Sequence, residues 1–477
     1  MIGKPQLWTA AEAAAAISVP VGQAWRAAGV AIDSRQVAEG DLFVAIKGER
    51  VDGHDFVADA FRRGAAAAIV SRVPAGLAED KPLLVVEDTL AALRNLAIAA
   101  RARSQARVIA VTGSVGKTGT KEALALALSV QGKTHASAGN LNNEIGAPLS
   151  LARLPRDAAY AVFELGMNHA GEISRLSHLV RPDVAVITNV EPVHIEFFGS
   201  VEAIADAKAE IFDGMSAAGA AVLNIDNPHF ARLMKSAQDR GLMRILSFGT
   251  DENAYARLID CSLHATCSAV QAEIGGERID YCIAMAGRHW VVNSLAVLTA
   301  VRAAGGDIAI GASSLSRLKP LKGRGERHRV DLPGGGAFEL IDESYNASPA
   351  SMRAALQVLA GTKPGAGGRR IAVMGDMREL GDGAGEMHRE LAPDVIQAGI
   401  DLVFACGPHM RLMYDMIGQR QRGAHAATST ELSPRIVGAV RAGDVVMVKG
   451  SLGTNMAPIV AALRNLADAA PAAANGN

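Results

Sequence analysis

The sequence predicts a three-domain α/β protein. A small N-terminal α/β domain covers residues 1–104. A central phosphate-loop (P-loop) domain with a doubly wound, mostly parallel sheet covers 105–322, and a C-terminal Rossmann-like α/β domain covers 323–477. Three observations predict it. A length of 477 residues suits three units at roughly 150 residues each. Short buried-strand patterns alternate with helical ones through the second and third blocks, the rhythm that builds parallel sheets. The turn Thr112-Gly113-Ser114-Val115-Gly116-Lys117-Thr118 joins one of those strands to a helix.

In the first block, Thr9-Ala10-Ala11-Glu12 reads as a capping box opening an Ala-rich helix. A turn at Glu39-Gly40-Asp41 followed by alternating residues predicts a hairpin or bent strand pair. Phe56 to Arg63 reads as helix and Ala66 to Ser71 as a buried strand. In the second block the strand readings are Val108–Thr112, Tyr160–Leu165, Val184–Asn189, Ala220–Ile225 and Ile245–Phe248. Lys117 to Val130 reads as a helix with Leu124 and Leu128 on its apolar face. In the third block the strands are Phe338–Ile341, Arg370–Met374, Leu402–Ala405 and Val445–Val448. Ser348 is an N-cap followed by Pro349 at the first helical position, and that helix runs through Leu359. Gly361 to Gly368 is a glycine-rich loop, and Ala467 to Asn477 reads as a frayed tail.

Composition excludes several functions. Lys and Arg number 48 against 49 Asp and Glu, so no global basic field recruits nucleic acid or an anionic membrane. Aromatic residues are 4% of the chain, which weakens a base-stacking role. Cys261, Cys267, Cys282 and Cys406 form no C-x-x-C pair, so reduced, packed thiols in a cytosolic protein are the reading. No stretch of about 18 apolar residues predicts a membrane span, and the N-terminus lacks a basic-then-apolar signal pattern.

Chemistry concentrates at the ends of the central strands, where open α/β sheets bind ligands. Gly113, Ser114, Val115 and Gly116 let backbone N–H groups close around an anion at a helix N-terminus. Lys117 can neutralise terminal phosphates, and the Thr118 hydroxyl can hold Mg²⁺. The usual pattern G-x-x-x-x-G-K-[ST] wants its first glycine at 111, where this chain has Val111, so the loop is a shorter variant. The plain alternative is a glycine-rich turn with a solvated lysine. Glu164 ends the next strand; buried there, it needs a partner or a cation, and Mg²⁺ shared with Thr118 would satisfy it. A salt-bridged carboxylate is the alternative. His194 can be a metal ligand or a loop histidine. Lys208, on an amphipathic helix, is ordinarily a solvated residue; in a confined site its amine can take up CO₂ as a carbamate and become an oxygen ligand for Mg²⁺.

Taken in order, these segments resemble the Mur ligases, which build the peptide of bacterial cell-wall precursors. The resemblance spans nearly the whole chain. It is carried by T-G-S-V-G-K-T, by Gly139-Asn140-Leu141-Asn142-Asn143-Glu144-Ile145-Gly146, by Glu164-Leu165-Gly166 with Asn168 to Ile173, by Asp342 to Pro349, by Met374 to Gly381 and by Val448-Lys449-Gly450-Ser451. It implies ATP and two Mg²⁺ positions. Lys117 would contact the phosphates, Thr118 and Glu164 would hold one metal, and His194 with a carbamylated Lys208 would serve the second. Asn293 would read the base from the helix opened by Gly287-Arg288-His289-Trp290, where the family often has Asn in place of Trp290. Arg324 and Asp342 would reach the nucleotide from the third block; the plain readings are an exposed linker arginine and an N-capping aspartate.

Asp33-Ser34-Arg35 and Asp52-Gly53-His54 match the family's region for the UDP end of the substrate, so Ser34 and Arg35 join the substrate-binding set. Asn140, Asn142, Asn143, Asn346 and Ser348 complete that set. The implied substrates are UDP-N-acetylmuramoyl-tripeptide and D-alanyl-D-alanine, joined in a bacterial cytoplasm by a monomer that engages no nucleic acid and does not insert in a membrane. A sister activity that adds a diamino acid typically carries D-N-P-R in its third domain. Here Asp226-Asn227-Pro228-His229 lies in the second block and reads as a turn. Two rival readings are a folylpolyglutamate synthase-like ligase, which the D-S-R-containing first block opposes, and an ATP-dependent switch without ligase activity.

Overall fold

The structure is a computed structural model that describes residues 6–193 and 195–468. Most of the tail from Ala467 to Asn477 lies outside the described residues, as does His194. Three sheets of four or more strands follow one another along the chain. Gly29–Ala31, Asp41–Val44, Ala67–Val70 and Leu83–Val85 form a four-stranded parallel sheet in that order. This corrects the hairpin expected after Gly40. All four residues of Asp41–Val44 are buried, because parallel strands flank it on both edges and the chain covers both faces. The capping box at Thr9 forms as expected: Thr9 Oγ1 accepts from the Glu12 amide at 3.2 Å, and the Glu12 carboxylate accepts from the Thr9 amide at 3.1 Å.

The central sheet has nine strands, ordered Glu277–Ile283, Ser268–Ile274, Ala256–Leu263, Arg244–Gly249, Ala220–Asn224, Val184–Ile187, Arg107–Thr112, Tyr160–Glu164 and Thr134–Ala136. The five strands expected there all form and pair in parallel. The Ala256–Leu263, Ser268–Ile274 and Glu277–Ile283 strands were not anticipated; they form an antiparallel meander at one edge. Their signal was period-two burial: Val270, Ala272 and Ile274 point inward and Gln271 outward. Lys117–Ser129 is the helix after the phosphate loop. Its Leu124 and Leu128 share one core with Val291, Leu295 and Leu298 of the helix Arg288–Ala303. Each such leucine contributes about 1.5–3 kcal/mol by leaving water, and the packing fixes the two helix starts side by side.

The third sheet runs Glu326–Asp331, Ala337–Glu343, Val445–Lys449, Arg370–Gly375, Leu402–Cys406 and Arg422–Ala426, parallel except for its first pair. Its inner four strands match the sequence expectation. The two outer ones escaped it because Glu326–Asp331 is almost wholly charged and Arg422–Ala426 lacks β-branched residues.

The sheets are joined through side chains. Trp8 Nε1 donates to the Ala152 carbonyl at 2.9 Å, and Arg153 Nε donates to the Val30 carbonyl at 2.6 Å. Leu149 and Ala152 pack into the core of the first sheet. On the other side, a Cβ on Gly381 would sit 3.3 Å from Glu196 Cα, and one on Gly287 would sit 3.0 Å from Val358. The third unit therefore rests against the carboxyl ends of the central strands.

Candidate functional site

The phosphate loop is braced from behind. Gly113 has φ +148°, and a Cβ there would lie 1.9 Å from Thr188 Oγ1, so no side chain fits. Thr188 Oγ1 donates to the Val115 carbonyl at 2.7 Å. The Ser114 amide donates to the Asn189 carbonyl at 3.0 Å, and the Val115 amide donates to Asn189 Oδ1 at 3.0 Å. The Ser114 hydroxyl accepts from the Glu191 amide at 2.9 Å. Gly116, at φ +85°, precedes the helix, and a Cβ there would lie 2.8 Å from Asn293 Nδ2. The loop thus presents the first turn of a helix, with its positive dipole end, to whatever occupies the cleft.

Lys117 folds back over this loop. Its Nζ donates to the Gly113 carbonyl at 2.7 Å and to Ser114 at 3.3 Å. Burial holds its pKa below the ordinary lysine value; Glu164 opposes that shift and Arg324 adds to it. The Arg324 charge therefore reaches the phosphate loop from the third unit, with its guanidinium 4.2 Å over the Tyr345 ring. Thr118 is buried beside Lys117.

Glu164 is paired in register with Val111, two residues before the loop. It is 2% exposed. One oxygen, Oε1, accepts from Asn142 Nδ2 at 2.7 Å. The other, Oε2, is buried with no partner among the described residues. Such an orphan costs about 1–3 kcal/mol or more when charged. Lys208 presents the opposite problem. It is 2% exposed near the end of the helix Val201–Ala209, and among the described residues no acceptor meets its Nζ. Burial drives its pKa well below 10.5, and the Lys117 charge pushes in the same direction. An orphan carboxylate oxygen and a desolvated amine flank one phosphate loop.

A hard divalent cation fits this donor set. The Thr118 hydroxyl and Glu164 carboxylate are oxygen donors, the ligand type Mg²⁺ favours, and among the described residues no hydrogen bond competes for Oε2.

The remaining expected residues divide. Asn293 lies against Gly116 of the loop, and the charges of Arg324 and Lys208 interact with that of Lys117. Asp342 is buried at the end of the Ala337–Glu343 strand, where its carboxylate accepts from the Ser344 amide at 3.0 Å. Asn142 is committed to Glu164, and Asn143 Oδ1 accepts from the Gly146 amide at 2.8 Å, where the next helix begins. Asn140 and Asn346 are exposed. Ser348 is the N-cap of Pro349–Gly361, paired reciprocally with Ser351. In the first unit Ser34 is buried, and Arg35 is exposed and ion-paired with Asp33 at 2.8 Å. The buried His54 accepts from the Ser71 amide at 2.8 Å while its Nδ1 meets Asp52 at 2.6 Å. Thr188, Asn189 and Lys121, which hold the site together, were not singled out from the sequence. Strand-end position was the available signal for the first two.

Models of the Mur ligase family match three stretches: the family's catalytic domain over 26–101, the Mur ligase middle domain over 111–301, and the Mur ligase glutamate ligase domain over 323–452. The UDP-N-acetylmuramoyl-tripeptide–D-alanyl-D-alanine ligase of Rickettsia prowazekii is 35% identical over 454 residues, covering 95% of this chain and 99% of its own. The protein of that name from Escherichia coli is 38% identical, covering 91% and 93%. A crystal structure of MurF from Acinetobacter baumannii matches with a TM-score of 0.83 at 32% identity over 96% of this chain and 99% of that one. A MurF ligase from Thermotoga maritima in complex with ADP matches at 0.75 and 28% identity, covering 92% and 98%.

Proposed function

This chain belongs to the Mur ligase family, and from that premise we propose that it joins D-alanyl-D-alanine to UDP-N-acetylmuramoyl-tripeptide at the expense of ATP, a step of peptidoglycan synthesis. The observation that carries the reading is the juxtaposition of the Gly113–Thr118 loop with the buried Glu164 oxygen and the buried Lys208, neither of which has a partner among the described residues. The relatives' names supply the substrates, and the ADP-bound MurF structure supports nucleotide use at this site.

In the reaction proposed, a carboxylate oxygen of the tripeptide attacks the γ-phosphorus of ATP. The bond to the bridging oxygen breaks, ADP leaves, and an acyl phosphate forms. The dipeptide amine then attacks the acyl carbon, phosphate departs with the carboxylate oxygen, and the amine proton passes to solvent. Two anions must meet in the first step. Unit charges at about 4 Å repel by about 4 kcal/mol at an effective dielectric near 20. Lys117 and the helix dipole offset that repulsion and follow the charge into the transition state. Bound Mg²⁺ would supply further charge neutralisation, held by Thr118 and Glu164.

At Lys208 the neutral amine can add CO₂, forming an N–C bond and releasing one proton; the resulting carbamate offers oxygen ligands for a second cation, for which His194, outside the described residues, is a further candidate ligand. Asn293 would face the base. Arg324 and Asp342 would hold the nucleotide from the third unit, Ser34 and Arg35 would take the UDP end, and the loop of Asn140 to Asn143 would face the peptide. Asn346 and Ser348 stand at the end of a third-unit strand, where the dipeptide would enter. Family-model limits near 101, 111, 301 and 323 support domain boundaries at 104/105 and 322/323. Contact of the third unit with the central one supports closure that keeps water from the acyl phosphate. Among the described residues no helix is long and apolar enough to cross a membrane; a cytoplasmic monomer is part of the proposal.

The test is order of addition. Phosphate release from ATP is expected only when both the UDP-tripeptide and D-alanyl-D-alanine are present, with a pentapeptide product by mass. Release indifferent to either substrate would transfer support to an ATP-dependent switch.

A further inference from the structure

Lys121 lies one turn beyond Lys117 on the phosphate-loop helix and is 0% exposed. Its ammonium donates to two carbonyls, Ser137 at 2.7 Å and Gly139 at 3.2 Å, and is ion-paired with the neighbouring Glu122 carboxylate at 2.5 Å. The two carbonyls open the segment that continues through Asn140, Asn142 and Asn143. That segment grips Glu164 twice. The Ser137 hydroxyl accepts from the Glu164 amide at 3.1 Å, and Asn142 Nδ2 donates to Glu164 Oε1 at 2.7 Å. Gly166 closes the clasp: its amide donates to the Asn142 carbonyl at 2.9 Å, and a Cβ there would lie 2.9 Å from the Asn142 side chain. One connected set of contacts thus runs from the helix that carries Thr118, through Lys121 and the 137–142 segment, to the carboxylate whose second oxygen has no partner among the described residues.

We propose that Lys121 is a positioning residue for the Mg²⁺ site: it clamps the 137–142 segment to the phosphate-loop helix and so sets where Glu164 Oε2 points relative to Thr118. The proposal rests on the reading of Glu164 as a metal ligand. It follows from connectivity. With Glu164 Oε1 occupied by Asn142, the side chain cannot swing freely, and the Asn142 backbone is fixed only as well as its segment is. Partners of metal ligands typically change metal affinity by roughly 10–100-fold.

The experiment reads metal binding without turnover. Mn²⁺ is titrated into the full chain with saturating ADP, free Mn²⁺ is followed by electron paramagnetic resonance, and ADP binding is measured separately in a chelator. Lys121→Met is expected to weaken Mn²⁺ by about 10-fold, with metal-free ADP binding changed less than about 2-fold. Asn142→Ala, which leaves Lys121 in place, is expected to act in the same direction, and the double variant to fall short of the product of the two losses. A merely structural role would lower both ligands' affinities together and would multiply with Asn142→Ala. Should Lys121→Met not fold, Lys121→Gln is held to the same criterion. Glu164→Gln separates the two readings. Loss of Mn²⁺ affinity in Glu164→Gln with none in Lys121→Met overturns the Lys121 proposal alone. Unchanged Mn²⁺ affinity in Glu164→Gln overturns the metal reading and the proposal with it.

Discussion

Two lysines flank the same phosphate loop, both buried, and they are opposites. Lys121 donates to two carbonyls and is ion-paired with Glu122; Lys208 has no such partner among the described residues. A buried cation held by carbonyls and a carboxylate fixes a structure in one arrangement, and truncating it leaves its partners unsatisfied. A buried amine without partners contributes nothing to the fold that a methionine would not, and it persists at a cost. The pairing of Lys121 fits the positioning role proposed for it, and the lack of pairing at Lys208 fits the chemical role proposed there.

The comparison breaks first at Lys208. Lys208→Met is expected to lower kcat by about 10³-fold without lowering the melting temperature; steady-state kinetics beside a thermal scan checks both, and intact activity would remove Lys208 from the chemistry. Next in size, Glu164→Gln is expected to lower kcat by roughly 10–100-fold and to raise the Mg²⁺ concentration needed for half-maximal rate. Lys121→Met is expected to cost less activity than Lys208→Met but more stability, about 1–3 kcal/mol from two buried carbonyls left bare, read as a lower urea midpoint. The reversed ranking of the two lysines on the two scales is the sharpest form of the contrast.

A subtler effect concerns pH. Burial holds the Lys208 pKa well below 10.5. Between its folded value and 10.5 the unfolded chain binds a proton that the folded chain does not, so stability from this residue rises with pH across that interval. The stability advantage of Lys208→Met is therefore expected to be greatest below the folded value and to vanish above about pH 10.5. Urea midpoints of both proteins in CO₂-free buffer at pH 7 and 9.5 check the sign. In the same buffer the wild type is expected to lose activity that bicarbonate restores, because only the unprotonated amine can form a carbamate.

Much of this was legible in the sequence. The loop from Gly113 to Thr118 and the five parallel strands around it announce themselves by local pattern, as do the N-caps at Thr9 and Ser348. Edge strands did not, since charged residues such as Arg327 and Arg329 hide a period of two. Lys208 reads from sequence as a surface lysine; its burial comes from packing that the helix pattern does not reveal. Lys121 was invisible for the same reason, as the two carbonyls it donates to lie 16 and 18 residues away on another segment. Asn142 was legible as polar and near the site, yet its partner Glu164 could be found only from the fold.

The central claim is that this cleft drives amide formation through an acyl phosphate, and isotope transfer tests it directly. UDP-N-acetylmuramoyl-tripeptide carrying ¹⁸O in its terminal carboxylate would be turned over with ATP and D-alanyl-D-alanine, and the released phosphate weighed. One ¹⁸O per phosphate is the expected result, since the attacking oxygen leaves on phosphorus. Phosphate without ¹⁸O, released at the same rate, would contradict the account.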